Sequence, residues 1–341
     1  MEFISYTEWD QLPESAASLF GQAANDSLFF TRMWFENLHR NAPPDRQRIL
    51  LACVVEDGKV LALLPLEMRG GQHWYALTNL YSSLYTLLLA QYEQQEVIIE
   101  CLARGLIQMP FISLRLDPIA EDDRNLQGFQ QAMESLGVTC HRTFRFYNWT
   151  HRIQGQSFHD YMAARPARVR NSIARKERKL AREYGYTIRL FTDSGLQQAM
   201  ADYNAIYRRS WKATELYGDF VEGLVCGLSG QGWLRLAILY VDELPVAAQL
   251  WFMAHGKASI FKLVHDENWK RYSPGSILTK YLMKQVIDND RATEIDFLTG
   301  NDAYKQDWMS ERRKRWIMYF NNKPKPEQEV SRILKWLYRL K

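Results

Sequence analysis

The chain has no apolar run near the roughly 20 residues needed to cross a bilayer, and its opening, MEFISYTEWDQ, lacks the basic start and apolar stretch of a signal peptide. Both absences argue for a cytoplasmic protein. Cysteine is scarce. Cys53, Cys101, Cys140 and Cys226 lie far apart, with none of the paired spacings of zinc sites or disulfide frameworks, and are expected to be reduced core residues. The seven histidines include no His-x-x-x-His or His-Glu-x-x-His pair, so no metal site is expected. A general excess of one charge is missing too. The segment from Arg165 to Arg182 carries +7 of a formal net +4, leaving −3 for the rest, which points to one local anion site rather than a nucleic-acid coat.

What is present is apolar material in quantity. At 341 residues, 47% hydrophobic and 13% aromatic, the chain can fill two cores. Residues 1–40 read as helical, with Phe29, Phe30, Trp34, Phe35 and Leu38 at helical spacing. Ile49–Val55 and Val60–Leu66 read as strands joined by Glu56-Asp57-Gly58-Lys59, a strong hairpin signal. A helix over 96–108, a strand over 111–116, a helix over 125–136 and a strand over 138–149 complete a mixed α/β first half. The second half runs through the basic helix, a helix at 197–211, a hairpin at 234–252, a strand at 258–264, a helix at 274–287 and a strand at 294–298.

The halves share a pattern. Leu51-Ala52, Asp57 and Ala62 correspond to Leu236-Ala237, Asp242 and Ala247 at one constant offset, both as Leu-Ala-x4-Asp-x4-Ala. With matching order of the flanking elements, this argues for two copies of one α/β unit. The expected division is 1–150, 151–322 and a basic amphipathic tail helix over 323–341.

In the second copy a strand leads through His265-Asp266-Glu267-Asn268-Trp269-Lys270-Arg271-Tyr272 into Ser273-Pro274-Gly275-Ser276. Ser273 suits an N-cap and Pro274 the first helical position. Free amides around Gly275 and Ser276, the helix dipole, and Lys270 with Arg271 would attract a phosphate; an ordinary capped helix beside a solvated Lys-Arg pair is the other reading. Gly227-Leu228-Ser229-Gly230-Gln231-Gly232 is richer in glycine but precedes a strand rather than a helix, so it reads as a turn.

With RPARVRNSIARKERKL, LRLAILYVDELPVAAQLWF, LVHDENWKRYSPGSILTKYL and EIDFLTGNDAYKQDW in this order, the chain resembles the two-domain branch of the GNAT acyltransferase superfamily related to the Fem peptidyltransferases, over most of residues 155–320. The resemblance implies two tandem GNAT-like domains, each a mixed sheet flanked by helices, the first degenerate and on the acceptor side. It implies an acyl-CoA between two splayed strands of the second, its pyrophosphate at Lys270, Arg271, Ser273, Gly275 and Ser276, and no metal. The usual phosphate loop differs from Arg271–Ser276 by one position and carries a second glycine that is absent here. Tyr304-Lys305 resembles the aromatic-lysine pair of the Fem-related enzymes, where the lysine is thought to stabilise charge at the reacting carbonyl.

Amide formation from a thioester needs a deprotonated amine and help for the oxyanion and the leaving thiolate. Asp266, just past a strand, would position or deprotonate the amine, with His265 as understudy; as the alternative, Asp266 caps a turn. Lys305 is either functional or a surface lysine beside a buried tyrosine. Asp296 faces the cleft or joins a structural ion pair. Arg168, Arg175 and Arg182 share a helix face with Arg178 beside them; Arg168 and Arg175 are the candidates for donor phosphates, against a merely solvated face.

Three functions follow. The first is N-acyl transfer, in first place acetyl, from acyl-CoA to an amine of a small metabolite or amino sugar. The second is a Fem-like transfer from aminoacyl-tRNA, with the basic helix on RNA phosphate. The third is a non-catalytic binding protein, to which the tail helix over 330–341 would add weak peripheral membrane contact. The polar stretch Leu77–Tyr85 gives only generic acceptor contacts.

Overall fold

The structure is a computed structural model that describes residues 1–42, 48–70, 72–212 and 214–322. The expected tail helix, 323–341, lies outside the described residues. The first part of the chain forms β1 (Glu2–Tyr6), α1 (Ala16–Ala24), α2 (Arg32–Asn41), β2 (Arg48–Glu56), β3 (Lys59–Arg69), β4 (His73–Ala76), β5 (Leu88–Leu89), α3 (Gln95–Gln108), β6 (Ser113–Ala120), α4 (Arg124–Ser135) and β7 (Thr139–Arg152). Then come α5 (Phe158–Ala163), α6 (Ala167–Glu183), β8 (Thr187–Phe191), α7 (Leu196–Arg208), α8 (Gly218–Gly230), β9 (Leu234–Val241), β10 (Leu244–Ala254) and β11 (Lys257–His265). The second part ends with α9 (Pro274–Lys284), β12 (Glu294–Thr299), α10 (Lys305–Trp308) and β13 (Glu311–Asn321).

All the strands join one mixed sheet in the order β1-β2-β3-β4-β6-β13-β7-β12-β11-β10-β9-β8, with β5 beside β3. Read inward from its two edges, the sheet repeats itself. β4 pairs parallel with β6, and β11 pairs parallel with β12, while the pairs flanking them are antiparallel. At the centre β13 pairs with β6 and β7 with β12, so each half borrows its inner strand from the other, and β7 runs through the division expected at residue 150.

The repeat in the sequence is a repeat in backbone geometry. Asp57 and Gly58 turn the first hairpin with φ of 49° and 73°, and Asp242 and Glu243 turn the second with φ of 47° and 62°. Two successive left-handed residues match the right-handed twist of the strands they join. Each hairpin then carries one extra residue in its second strand, Leu61 between partners Val60 and Ala62, Val246 between Pro245 and Ala247. Bulges at the same repeat position are difficult to attribute to chance.

The halves are also packed through aromatic helices. Trp34 of α2 meets Phe220 of α8 edge to face at 5.2 Å, and Asn37 Nδ2 donates to the Phe220 carbonyl at 2.9 Å. Gly223 and Gly227, one turn apart on α8, let the helices approach: a Cβ at either would collide with Asn37 or with Met33 Sδ. Thus Gly227 to Gly230 belong to the end of a helix, and only Gln231-Gly232 form the expected turn. Residues 1–40 are not wholly helical, because β1 supplies an edge strand whose hydrogen bonds come from β2, far away in sequence. Cys53 is buried as expected, but Cys226 is exposed on α8. Among the described residues, no helix is long and apolar enough to cross a membrane.

Candidate active site

β11 and β12 pair only from Lys257↔Glu294 to Ser259↔Asp296, and then diverge. The gap widens into a cavity of about 650 Å³ with Ile260, Leu263 and Lys262 on one wall and Phe297, Leu298 and Thr299 on the other. Two irregularities shape it. β11 bulges at Phe261, between residues paired to Trp251 and Leu250. β12 breaks register with β7 after Asp296, and Leu298 takes a φ of 51°. Asp296, a sequence candidate, holds that break: its Oδ1 accepts from Leu298 N at 2.6 Å and from Asn148 Nδ2 at 2.5 Å. Burial pushes its carboxyl up.

The first half has the matching divergence, between β4 and β6, but its own chain partly fills it. Tyr85, fully buried, donates its N–H to the Pro118 carbonyl and its hydroxyl to the Pro65 carbonyl, both at 2.7 Å. Thr78 Oγ1 donates to the Asp117 carbonyl at 3.1 Å. The first wedge is thereby narrowed to a cavity of about 260 Å³ lined by Thr78, Arg115 and Asp117, against about 650 Å³ in the second half.

α9 starts on the cavity wall with Pro274 at its first position, as the sequence predicts. Gln249, fully buried in β10, fixes it there, because its Nε2 donates to the Gly275 carbonyl at 2.8 Å and to Thr279 Oγ1 at 2.7 Å. Ser273, Gly275, Ser276 and Lys270 all line the cavity. Ser273, however, makes no side-chain cap; it adopts φ 52° and its carbonyl accepts from Ser276 N at 3.0 Å. With Pro274 lacking an N–H, the free donor in this first turn is the Gly275 amide.

His265, Lys305 and Tyr304 line the same cavity. The Lys305 side chain is buried, and its Nζ donates to the carbonyls of Phe297 at 2.9 Å and Thr299 at 2.5 Å, with Asp302 Oδ2 at 3.8 Å. Burial lowers its pKa. Tyr304, 6.0 Å from Phe297, is half-exposed, yet the crowding of its phenol at the cavity wall and the Asp302 carboxylate push it up to about 12, so it stays protonated. His265 packs against Trp211 with centroids 4.4 Å apart and the rings tilted by 41°, and burial lowers its pKa, leaving a neutral imidazole at neutral pH. Its Nε2 lies 3.5 Å from Glu267 Oε1, and a Cβ on Gly275 would stand 3.7 Å from Nδ1. At that separation neither Nε2 nor Glu267 Oε1 is hydrogen-bonded, so no side chain among the described residues fixes the tautomer, and Nδ1 lies on the side of the start of α9.

Four sequence candidates lie elsewhere. Asp266 is buried off the cavity wall, where Oδ2 accepts from Arg209 Nε at 2.6 Å and Oδ1 from Asn268 N at 2.9 Å; it is the turn-capping reading that the geometry matches. Arg271 lies over the Tyr272 ring at 4.7 Å. Arg168 pairs with Asp307 at 2.5 Å, and Arg175 is exposed on the outer face of α6. The reason is the helix phase: α6 spends Ile173 and Leu180 on the core, so its arginines face solvent.

Sequence reasoning passed over Lys212 and Lys262, both on the cavity wall. A lysine in the middle of the apolar run Ser259–Val264 was a readable signal, since lysine is buried only when paired. Its partner Glu215 lies on the irregular segment between α7 and α8 and could not be read from periodicity.

With this geometry in place, relatives can be compared. Residues 167–306 match the family described as an acetyltransferase (GNAT) domain. No curated protein matches the chain in sequence. Among solved structures, FemX is similar with a TM-score of 0.62 and 12% identity, over 93% of this chain and 97% of that one. A tandem GNAT protein from the clavulanic acid biosynthesis pathway gives 0.54 and 13%, over 95% and 99%. L-PGS from Bacillus licheniformis gives 0.52 and 13%, over 83% and 87%. At such identities the likeness is one of fold.

Proposed function

On the premise that this chain carries a GNAT domain in the tandem, Fem-like branch of the superfamily, we propose that it is an N-acyltransferase moving an acyl group, in first place acetyl, from acyl-CoA to an amine of a small metabolite or amino sugar. The observation that supports this most is the open wedge between β11 and β12, with the start of α9 on its wall. A thioester in the wedge would have its phosphates near Gly275, Ser276 and Lys270. The chain divides functionally as 1–150 on the acceptor side and 151–322 on the donor side.

The proposed chemistry uses the residues that meet in the cavity. His265 removes a proton from the ammonium of the acceptor. The free amine attacks the thioester carbonyl; the C–N bond forms, the C–S bond breaks, and one of the two protons on the nitrogen goes to the departing thiolate while the other stays as the amide N–H. Tyr304, kept protonated, donates a hydrogen bond to the sulfur, and Lys305 lends positive potential to the carbonyl oxygen. Asp266, tied to Arg209, serves as a positioning residue for the segment after His265.

Calorimetric titration with acetyl-CoA and CoA tests the reading. Saturable binding that Gly275→Trp removes, with the fold intact by circular dichroism, supports it; absence of binding to the wild type overturns it. A Fem-like aminoacyl transfer is the second reading, favoured by the single free amide at the start of α9 and by the exposed arginines of α6. It predicts RNA binding that falls steeply with salt.

A further inference from the structure

Four lysines reach the cavity wall, and three have their charge answered. Lys305 is held by Asp302 and two carbonyls, and Lys270 Nζ lies 3.2 Å from Glu267 Oε2. Lys262 pairs with Glu215 Oε2 at 2.6 Å and lies over the Tyr81 ring at 3.7 Å. Both oxygens of Glu215 already have a partner, because its Oε1 accepts from the Tyr81 hydroxyl. The fourth, Lys212, follows the end of α7, with its Nζ 5.7 Å from the Trp211 ring and 6.0 Å from the Tyr207 ring. Among the described residues it has no carboxylate or carbonyl partner for that ammonium.

An ammonium on a half-buried wall with no counter-charge keeps some hydration but gains from an anion that joins it. Burial, with the Lys262 ammonium close by, pushes Lys212 down to about 8, so it is still charged at neutral pH but at a disadvantage that an anion would relieve. The donor phosphates have their own place at Gly275, Ser276 and Lys270. Lys212 instead stands near Lys262 and His265, on a cavity that Leu80, Tyr81 and Ser83 of the first half also line. One ammonium between aromatic faces suits a single negative charge better than a phosphate dianion, which would need several donors.

We infer that Lys212 binds the carboxylate of the acceptor, and that the acceptor class is therefore an amine carrying a carboxylate, that is, an amino acid or a close derivative. The inference rests on the acyl-transfer reading of this cavity. It narrows the acceptor from amines in general to anionic ones, with Lys262, Glu215 and Tyr81 as the positioning layer behind Lys212.

The test uses the full chain and pairs of product-like probes, N-acetyl-L-amino acids against their carboxamides, titrated calorimetrically with and without saturating CoA. The expected result is at least one acid that binds about tenfold or more tightly than its amide. Lys212→Met abolishes that difference, Lys212→Arg keeps most of it, and both variants keep the wild-type affinity for CoA. Equal binding of every acid and its amide overturns the inference, as does a Lys212→Met variant that loses CoA instead. Failure of CoA to bind the wild type would sink the acyl-CoA reading alone, because the acid–amide comparison without CoA still reports on Lys212. Lys212→Gln, checked by circular dichroism, guards against a fault of folding in the methionine variant.

Discussion

Lys305 Nζ donates to the Phe297 carbonyl at 2.9 Å, on the far side of the divergence between β11 and β12. The same ammonium reaches the Thr299 carbonyl at 2.5 Å, so one side chain fastens α10 to the end of the strand that forms the cavity wall. It also places a positive charge in a weakly solvated site, where charge stabilisation is worth most. Lys305 therefore has a structural task, and the proposed transfer would give it a chemical one as well.

Replacing Lys305 separates the two. Lys305→Met is expected to cost about 1–3 kcal/mol of stability through the two orphaned carbonyls and to lower kcat for acyl transfer by about 100-fold or more. Denaturant midpoints and a thiol-release assay read the two effects. A variant with full activity would remove Lys305 from the chemistry.

Gly275 allows a graded test of the wedge. A Cβ there meets only His265 Nδ1 and Leu263, at 3.7 Å, an ordinary contact. Gly275→Ala is expected to bind CoA with a Kd close to that of the wild type, whereas the indole of Gly275→Trp is expected to fill the cavity mouth and abolish binding. Equal behaviour of the two variants would move the donor site elsewhere.

The low pKa of His265 has a kinetic consequence. If this imidazole is the general base, kcat/KM gains its acid limb with a midpoint below the ordinary histidine value of 6.5. His265→Gln should remove that limb and most of the rate. An acid limb that persists in the variant assigns the base to another group.

His151 controls stability rather than rate. Its Nδ1 meets Ser310 Oγ at 2.8 Å and its Nε2 meets Gln156 Nε2 at 2.7 Å, an arrangement for a neutral ring, and burial with Arg165 pushes it down to about 4. The unfolded chain takes up this proton first, so the contribution is complete above about pH 6.5 and is lost as pH falls toward about 4. Urea midpoints at pH 7 and pH 5 should differ less in His151→Gln than in the wild type, by about 2 kcal/mol in free energy.

Gly223 tests the joint between the halves. Gly223→Ala drives a methyl into Asn37 and is expected to cost about 1–3 kcal/mol, visible as a lower Tm. Gly230→Ala, at the end of the same helix with nothing near its Cβ, serves as the neutral control.

Much of this was legible in the sequence where the signal is local. Asp57-Gly58 and Asp242-Glu243 are turn residues at one offset, and they mark the two hairpins because a left-handed turn restricts the residues that can occupy it. Ser273-Pro274 marked the start of α9, since Pro tolerates only the first turn of a helix. Seven site candidates, Lys270, Ser273, Gly275, Ser276, His265, Tyr304 and Lys305, do line the cavity. β1 was missed because an edge strand is stabilised by its partner and not by its own residues.

The sequence by itself determined many of the elements, the duplicated hairpin and the segment that lines the wider cavity, because turn dihedrals, caps and hydrophobic periods act over a few residues; β8, α8 and β13, like β1, were not read from it. Only the tertiary structure decided which of two similar wedges is the wider. That choice depends on Tyr85 reaching carbonyls at Pro65 and Pro118. The tertiary structure likewise turned Asp266 to Arg209, gave Lys262 to Glu215 and left Lys212 without a partner, since ion pairing depends on distances between segments that no local pattern encodes.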